Sequence, residues 1–163
     1  MLIYIPLAED PPTVTSQEKG ETIKYKWIVR NGRRMSVPYI HHYEKPEVAR
    51  ARGLYVREIL KYMKAHGLEK PHFEGPCRAF VAIGFKARRK KDIGKLKDTK
   101  PDCDNMNKLL QDVLGDLGFF KVGDQQIGDL RVVKVWEEIP FILINIEPYS
   151  EALDDIFTVQ SRT

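Results

Sequence analysis

The stretch Lys100-Pro101-Asp102-Cys103-Asp104-Asn105-Met106-Asn107-Lys108 runs into Leu109-Leu110-Gln111-Asp112-Val113-Leu114-Gly115-Asp116-Leu117-Gly118. Met106, Leu109, Leu110, Val113, Leu114 and Leu117 recur at helical spacing and predict one apolar stripe, on a helix from 104 to about 117 that ends near Gly118. At about 100° per residue, Asp104, Lys108, Gln111 and Gly115 fall on the opposite face. Asp104 and Lys108 are then an i, i+4 pair open to solvent. Pro101 biases Lys100 to extended geometry. Asp102 therefore ends a non-helical approach and Asp104 stands at the helix mouth, so the two carboxylates can converge. An Asp before a helix is ordinarily a cap, but one cap needs one Asp, and here there are two.

Working outward, the neighbouring segments predict a single α+β domain. Cys77–Phe85 is apolar enough for a central strand. Leu2–Ile5 reads as a short strand ended by Pro6, and 7–22 as a loop. Lys24–Arg30 and Arg34–Tyr39 flank Asn31-Gly32, a dipeptide suited to a type I′ hairpin turn. Pro38 marks the second arm as an edge strand or a frayed one. Pro46 suits a helix start. Val48, Ala49, Leu54 or Ala51, Tyr55, Ile59, Tyr62 and Met63 follow at helical spacing as far as Gly67. Val132–Trp136 and Phe141–Ile146 predict a pair of strands around Glu137-Glu138-Ile139-Pro140. The order β, hairpin, α, β, α, β, β implies two layers, a mixed β-sheet with helices packed on one face. The domain spans 1–149, with an inserted hairpin near 24–40. Residues 150–163 form a C-terminal tail in which Leu153, Ile156 and Phe157 could dock as one helical turn.

Composition narrows the functional classes. The chain of 163 residues is 42% hydrophobic and 31% charged, suited to one soluble domain. Two cysteines, Cys77 and Cys103, make neither a CxxC pair nor a disulfide framework, so a reducing cytoplasm is expected. The N-terminus lacks the basic flank of a signal peptide, and no apolar run is long enough to span a membrane.

The net charge of +4 is modest, but its distribution is not. Lys86, Arg88, Arg89, Lys90, Lys91, Lys95, Lys97 and Lys100 put eight cations in fifteen residues, opposed only by Asp92 and Asp98. Such a strip repels itself without a polyanion, which suggests a flexible loop ordered by nucleic acid. Arg33 and Arg34 extend the track. Trp27, Phe119 and Phe120 are stacking candidates, although core packing is the simpler role for each. The cysteines and His41, His42, His66 and His72 show no zinc-type spacing.

A carboxylate pair beside a phosphate-attracting strip suits metal-assisted phosphodiester cleavage. Mg²⁺ or Mn²⁺ activates water and stabilises the leaving oxygen, and Mg²⁺ takes only a few carboxylates. Lys108 is placed to neutralise charge developing on phosphate. Asp112 lies about 12 Å up the helix from Asp104, too far to share an ion. Asp124, in the following loop, is the better third acid, with Asp129 and Glu137 as weaker choices. A non-catalytic DNA-binding module, with both Asp residues as caps, is the competing class. A nucleotide-sugar transferase lacks its nucleotide-binding half here, and an aspartyl phosphatase lacks the hydrophobic strand before its nucleophile.

Asp102-Cys103-Asp104-Asn105-Met106-Asn107-Lys108, the helix to Leu117, Gly118-Phe119-Phe120, Asp124-Gln125-Gln126-Ile127 and the strand Leu130–Trp136 resemble the RusA family of Holliday-junction resolvases, whose pattern is D-x-D-N-x-x-K followed by an aromatic segment and an Asp before Q-V/I. The resemblance is specific over 100–136. It implies a RusA-like fold and a magnesium-dependent homodimeric endodeoxyribonuclease that cuts four-way DNA junctions, of a kind often carried by phages and prophages. By motif position, Asp102, Asp104 and Asp124 match the metal-binding acids, Lys108 the catalytic lysine and Asn105 a supporting amide. The family often has two adjacent acids where this chain has Gly123-Asp124, and the spacing to Asp124 is one residue longer. Related activity on flaps or forks is an alternative substrate range.

Overall fold

The computed structural model describes residues 1–15 and 18–149. In chain order they form β1 (Leu2–Pro6), β2 (Lys19–Arg30), β3 (Arg33–Glu44), α1 (Pro46–Ala65), β4 (Cys77–Lys86), α2 (Cys103–Asp116), β5 (Ile127–Glu137) and β6 (Phe141–Pro148). Short 3₁₀ turns occupy Lys90–Asp92 and Asp124–Gln126. The expected tail, with Leu153, Ile156 and Phe157, lies outside the described residues.

The architecture is α+β. One mixed sheet has the order β1-β6-β4-β5, with β4 and β5 parallel and the other pairs antiparallel. Period-2 alternation orients it. Cys77, Ala79, Val81, Ile83 and Phe85 of β4, Ile142, Ile144 and Ile146 of β6, and Ile3 and Ile5 of β1 are buried in one core. Against that face pack Val48, Ala51, Tyr55, Ile59 and Met63 of α1 and the apolar stripe of α2. In α1 the buried position is Ala51; Ala49 is exposed and Leu54 half-buried.

Two sequence expectations change. β5 and β6 do not pair with each other; they flank β4 on opposite sides. The reason is chemical. β6 is nearly all apolar and takes an interior place, whereas β5 carries Asp129, Arg131 and Lys134 and suits an edge. α2 supplies the long connection that a parallel β4–β5 pair needs. The hairpin is also longer than 24–40. β2 and β3 each have 12 residues and form a separate two-stranded sheet, so β2 takes in 19–22 from the expected loop. Asn31 (φ 52°) and Gly32 (φ 73°) make the turn as anticipated. Pro38, opposite Tyr25, costs no ladder bond because each strand of a ribbon is an edge.

Candidate metal and nucleic-acid site

The site is built on the first turn of α2. Asp102 is its N-cap residue by backbone geometry (φ −76°, ψ 146°), but its side chain makes no capping hydrogen bond. The ordinary structural use of an Asp at this position is therefore not in place. Asp104 follows in the first helical turn, where the helix dipole favours an anion. Asp102, Asp104 and Lys108 are exposed, while Met106, Leu109, Leu110, Val113 and Leu114 are buried, as the periodicity required. Gly118 (φ 74°) stops the helix, and the Phe119 amide donates back to the Leu114 carbonyl at 3.1 Å. Phe119 and Phe120 are core residues. The buried face also contains Asn107, whose Oδ1 accepts no hydrogen bond among the described residues.

Two lysines hold the approach to Asp102. Lys134, in the middle of β5 and 9% exposed, donates from Nζ to the Thr99 carbonyl at 2.8 Å and to the Pro101 carbonyl. Lys97, 7% exposed, donates to the Thr99 carbonyl at 3.0 Å, to Thr99 Oγ1 at 2.6 Å and to the Lys100 carbonyl. Its ammonium also lies 5.0 Å from the Phe85 ring centroid and 4.8 Å from that of Trp136. Burial, then the neighbouring Lys134 charge, lowers the Lys97 pKa from the usual lysine value. The 99–101 backbone is thus fixed from below by two internal cations, directly before the first carboxylate. Lys97 was expected in the DNA-binding strip; its charge is taken up inside the protein instead. Sequence reading missed Lys134 altogether, although a lysine inside Val132-Val133-Lys134-Val135-Trp136 was a visible break in an apolar strand.

The basic segment is likewise not a free loop. The Gly94 amide donates to the Trp136 carbonyl at 2.8 Å, the Trp136 amide to the Lys95 carbonyl at 2.9 Å, and the Lys97 amide to the Lys134 carbonyl at 2.8 Å. These bonds fasten 94–97 along the edge of β5. Asp92 accepts from Arg89 Nε at 2.7 Å and lies 3.7 Å from Lys95 Nζ. That Arg89 hydrogen bond is the main cause holding the Asp92 carboxyl below its ordinary pKa. Among the described residues, Lys86, Arg88, Lys90, Lys91 and Lys100 have no ion-pair partner. A cleft lined by Thr13, Lys100, Pro101, Asp102 and Asn105 adjoins one whose lining includes Thr13, Lys86, Arg88, Lys100 and Trp136, with Asp10 as its one acid. Asp102 and Asn105 therefore sit at one end of a groove whose wall carries more cations than acids.

Asp124 stands elsewhere. It opens a 3₁₀ turn after Gly123 (φ 125°) and lines a cleft with Gln111, Asp112, Gly115 and Asp116, along the C-terminal half of α2. Gln126 fixes that turn. Its Nε2 donates to the Phe73 and Gly75 carbonyls, both at 2.9 Å, and its Oε1 accepts from the Val122 amide at 2.7 Å. Among the described residues, no three of the His, Cys, Asp and Glu side chains gather closely enough to hold a metal ion. Asp124 therefore does not gather with Asp102 and Asp104 in this chain. Asp129 is taken by Arg78, at 2.7 Å.

Among the described residues, no helix is long and apolar enough to cross a membrane. The model of the family described as endodeoxyribonuclease RusA matches residues 30–147, most of the chain. No individually curated protein matches it. The matched region contains the Asp102–Lys108 motif, α2, the Asp124 turn and the β4–β5–β6 sheet that carries them, and the chain belongs to the RusA family of endodeoxyribonucleases.

Proposed function

We propose that the chain is a Mg²⁺-dependent nuclease that resolves four-way DNA junctions by paired symmetric nicks, as a cytoplasmic homodimer serving DNA recombination and repair. The observation that carries this reading is Asp102. It has a cap's backbone without a cap's hydrogen bond, and it opens onto a cationic groove. Asp102 and Asp104 hold the ion, and Asn105, which shares the cleft with Asp102, supports them. Two hard oxygen donors fit Mg²⁺, which keeps several waters and takes few carboxylates, and Mn²⁺ serves as a substitute. When bound, the ion supplies Lewis acidity at the phosphoryl group and an acidified water. Lys108, one turn beyond Asp104 on the exposed face, neutralises charge developing on phosphate or the leaving oxygen. Lys86, Arg88, Lys90, Lys91 and Lys100 hold the DNA backbone, with Arg89 and Lys95 at its margin. Contacts of this kind place the substrate without reading its sequence.

The position of Asp124 bears on the dimer. A two-fold axis across the exposed face of α2 sets the N-terminal end of one helix against the C-terminal half of the other. In that arrangement the second copy brings its Asp124 to the Asp102–Asp104 pair, and two equivalent sites face the two equivalent strands of a junction.

The test is a time course on a synthetic junction with and without Mg²⁺. The parent nicks only with the ion, and Asp102→Asn binds the junction without cutting it. Mixed dimers of Asp102→Asn and Asp124→Asn chains regain cutting at one of their two sites. Equal cutting by Asp102→Asn and parent rejects the nuclease assignment, and inactive mixed dimers reject the shared site.

A further inference from the structure

The β2–β3 hairpin is the largest feature that the acid site leaves unexplained. The family match begins at residue 30, so most of β2 lies outside it. The two strands pack chiefly on each other. At about 3.4 Å per residue, 12-residue strands make an arm about 40 Å long. An isolated two-stranded ribbon is only marginally stable in water. Its base is tied down by Glu44, which accepts from Arg52 of α1 at 3.1 Å.

The composition of the outer part indicates what the arm meets. Between 24 and 39 there are five cations, Lys24, Lys26, Arg30, Arg33 and Arg34, and no acid. Arg30 and Arg33 are direct cross-strand partners, an unfavourable pairing of like charges unless an anion approaches. Lys24, Lys26, Arg30 and Arg33 share one face of the ribbon by alternation. The other face presents Ile23, Tyr25, Trp27, Val29 and Ile40, each 60–70% exposed, with the Arg34 guanidinium 5.7 Å from the Trp27 ring centroid. Trp27 is thus not the core residue that its size suggested. A second copy of the same arm would set five cations against five. A polyanion matches the cationic face, its bases can stack on Tyr25 and Trp27 of the other, and the DNA major groove admits a two-stranded ribbon.

We propose that the β2–β3 hairpin is a second DNA-binding element, separate from the acid site, that grips an arm of the branched substrate. Lys24, Lys26, Arg30 and Arg33 contact phosphates. Trp27, backed by Arg34, stacks on a base exposed where the strands part. The proposal rests on the nuclease reading above, since that reading supplies the DNA.

Fluorescence anisotropy on a synthetic four-way junction tests it, with Asp102→Asn chains to prevent cutting. Each lost phosphate contact lowers the slope of log K against log salt by about one. A Lys24→Glu, Lys26→Glu, Arg30→Glu chain should therefore lose about three in slope. The added negative charge should also weaken binding at least tenfold near 0.1 M salt. Trp27→Ala should weaken binding roughly tenfold. Junction should quench the tryptophan emission of the parent, and Trp27→Phe should abolish that quenching. The substitutions lie outside the core, so unchanged thermal melts are the control on folding. Unchanged slope and affinity in the triple variant overturn the proposal but leave the nuclease reading standing. Dissociation of a dimeric parent into monomers by Trp27→Ala, with DNA affinity per chain unchanged, makes the arm a protein interface and also overturns it. A parent that binds no junction overturns both readings.

Discussion

Lys134→Met probes how the fold aims the acid site. Methionine keeps the length of the lysine stem and removes the ammonium. The Thr99 carbonyl retains the Lys97 bond at 3.0 Å, but the Pro101 carbonyl loses its Lys134 donor. This acceptor is half-buried, so leaving it without a partner costs about 1 kcal/mol, the low end of the range for a buried group. Loss of the 2.8 Å charge-assisted bond to Thr99 adds about 1 kcal/mol, and relief from burying a second cation beside Lys97 offsets part of this. The net expectation is a loss of about 1–2 kcal/mol, or a fall in Tm of roughly 2–8 °C for a domain of this size. The functional effect should be larger than the stability effect. Asp102 directly follows the released carbonyl, and a displacement of about 1 Å at a reacting centre can cost on the order of 100-fold in rate. The assay is single-turnover junction cleavage across a Mg²⁺ titration, run well below the melting temperature, with anisotropy to measure DNA binding separately. Cleavage should fall by about 10–100-fold and half-saturation should move to higher Mg²⁺, with junction affinity nearly unchanged. If Lys134→Met melts lower yet cleaves like the parent at every Mg²⁺ concentration, the clamp supports the fold but does not position the acid.

Two further outcomes follow from the same geometry. Lys108→Met should lower the cleavage rate by about 100- to 1,000-fold, the usual loss for one group that stabilises transition-state charge, with junction affinity retained and partial recovery in Lys108→Arg. Rate loss fully explained by weaker binding would make Lys108 an ordinary backbone contact. Lys97 gives the stability a pH signature. Its pKa is lowered in the folded chain, chiefly by burial, and returns to about 10.4 on unfolding. Between those values the unfolded chain binds more protons, so stability rises with pH through that window. The rise should be absent in Lys97→Met when urea midpoints are compared up to about pH 10. Above that, the buried Tyr55 phenol, whose pKa burial raises, favours unfolding in both chains. Identical pH profiles for parent and variant would place the Lys97 charge in solvent.

The helix that carries the site was legible because an amphipathic stripe is a local pattern. Met106 to Leu114 fixed the buried face of α2, and with it the exposure of Asp104 and Lys108. The Asn31-Gly32 turn was legible for a similar reason, since few dipeptides accept two positive φ angles. Strand order was not. Nothing within 127–148 states that β4 will come between β5 and β6; that depends on long-range competition in which the apolar β6 takes the interior. The roles of Lys97 and Lys134 were hidden for the same reason. Residues 37 apart in the chain meet beneath one loop, and a lysine in a basic strip looks like a surface lysine until its neighbours are known. Trp27 shows the converse: an aromatic in an alternating strand reads as core unless the ribbon has nothing to pack on. Asp124 was found by motif, but its distance along α2 from the acid pair is a property of the turn that Gln126 holds, and the motif does not encode it.

Binding of a divalent cation by Asp102 and Asp104 together can be measured without DNA cleavage. Electron paramagnetic resonance of Mn²⁺, titrated with protein in the presence of a junction, reports bound ion directly. The parent should bind Mn²⁺, Asp102→Asn and Asp104→Asn should each lose that binding, and Asp112→Asn, about two helical turns beyond Asp104, should keep it. Mn²⁺ bound as well by Asp102→Asn as by the parent would contradict the assignment of the site.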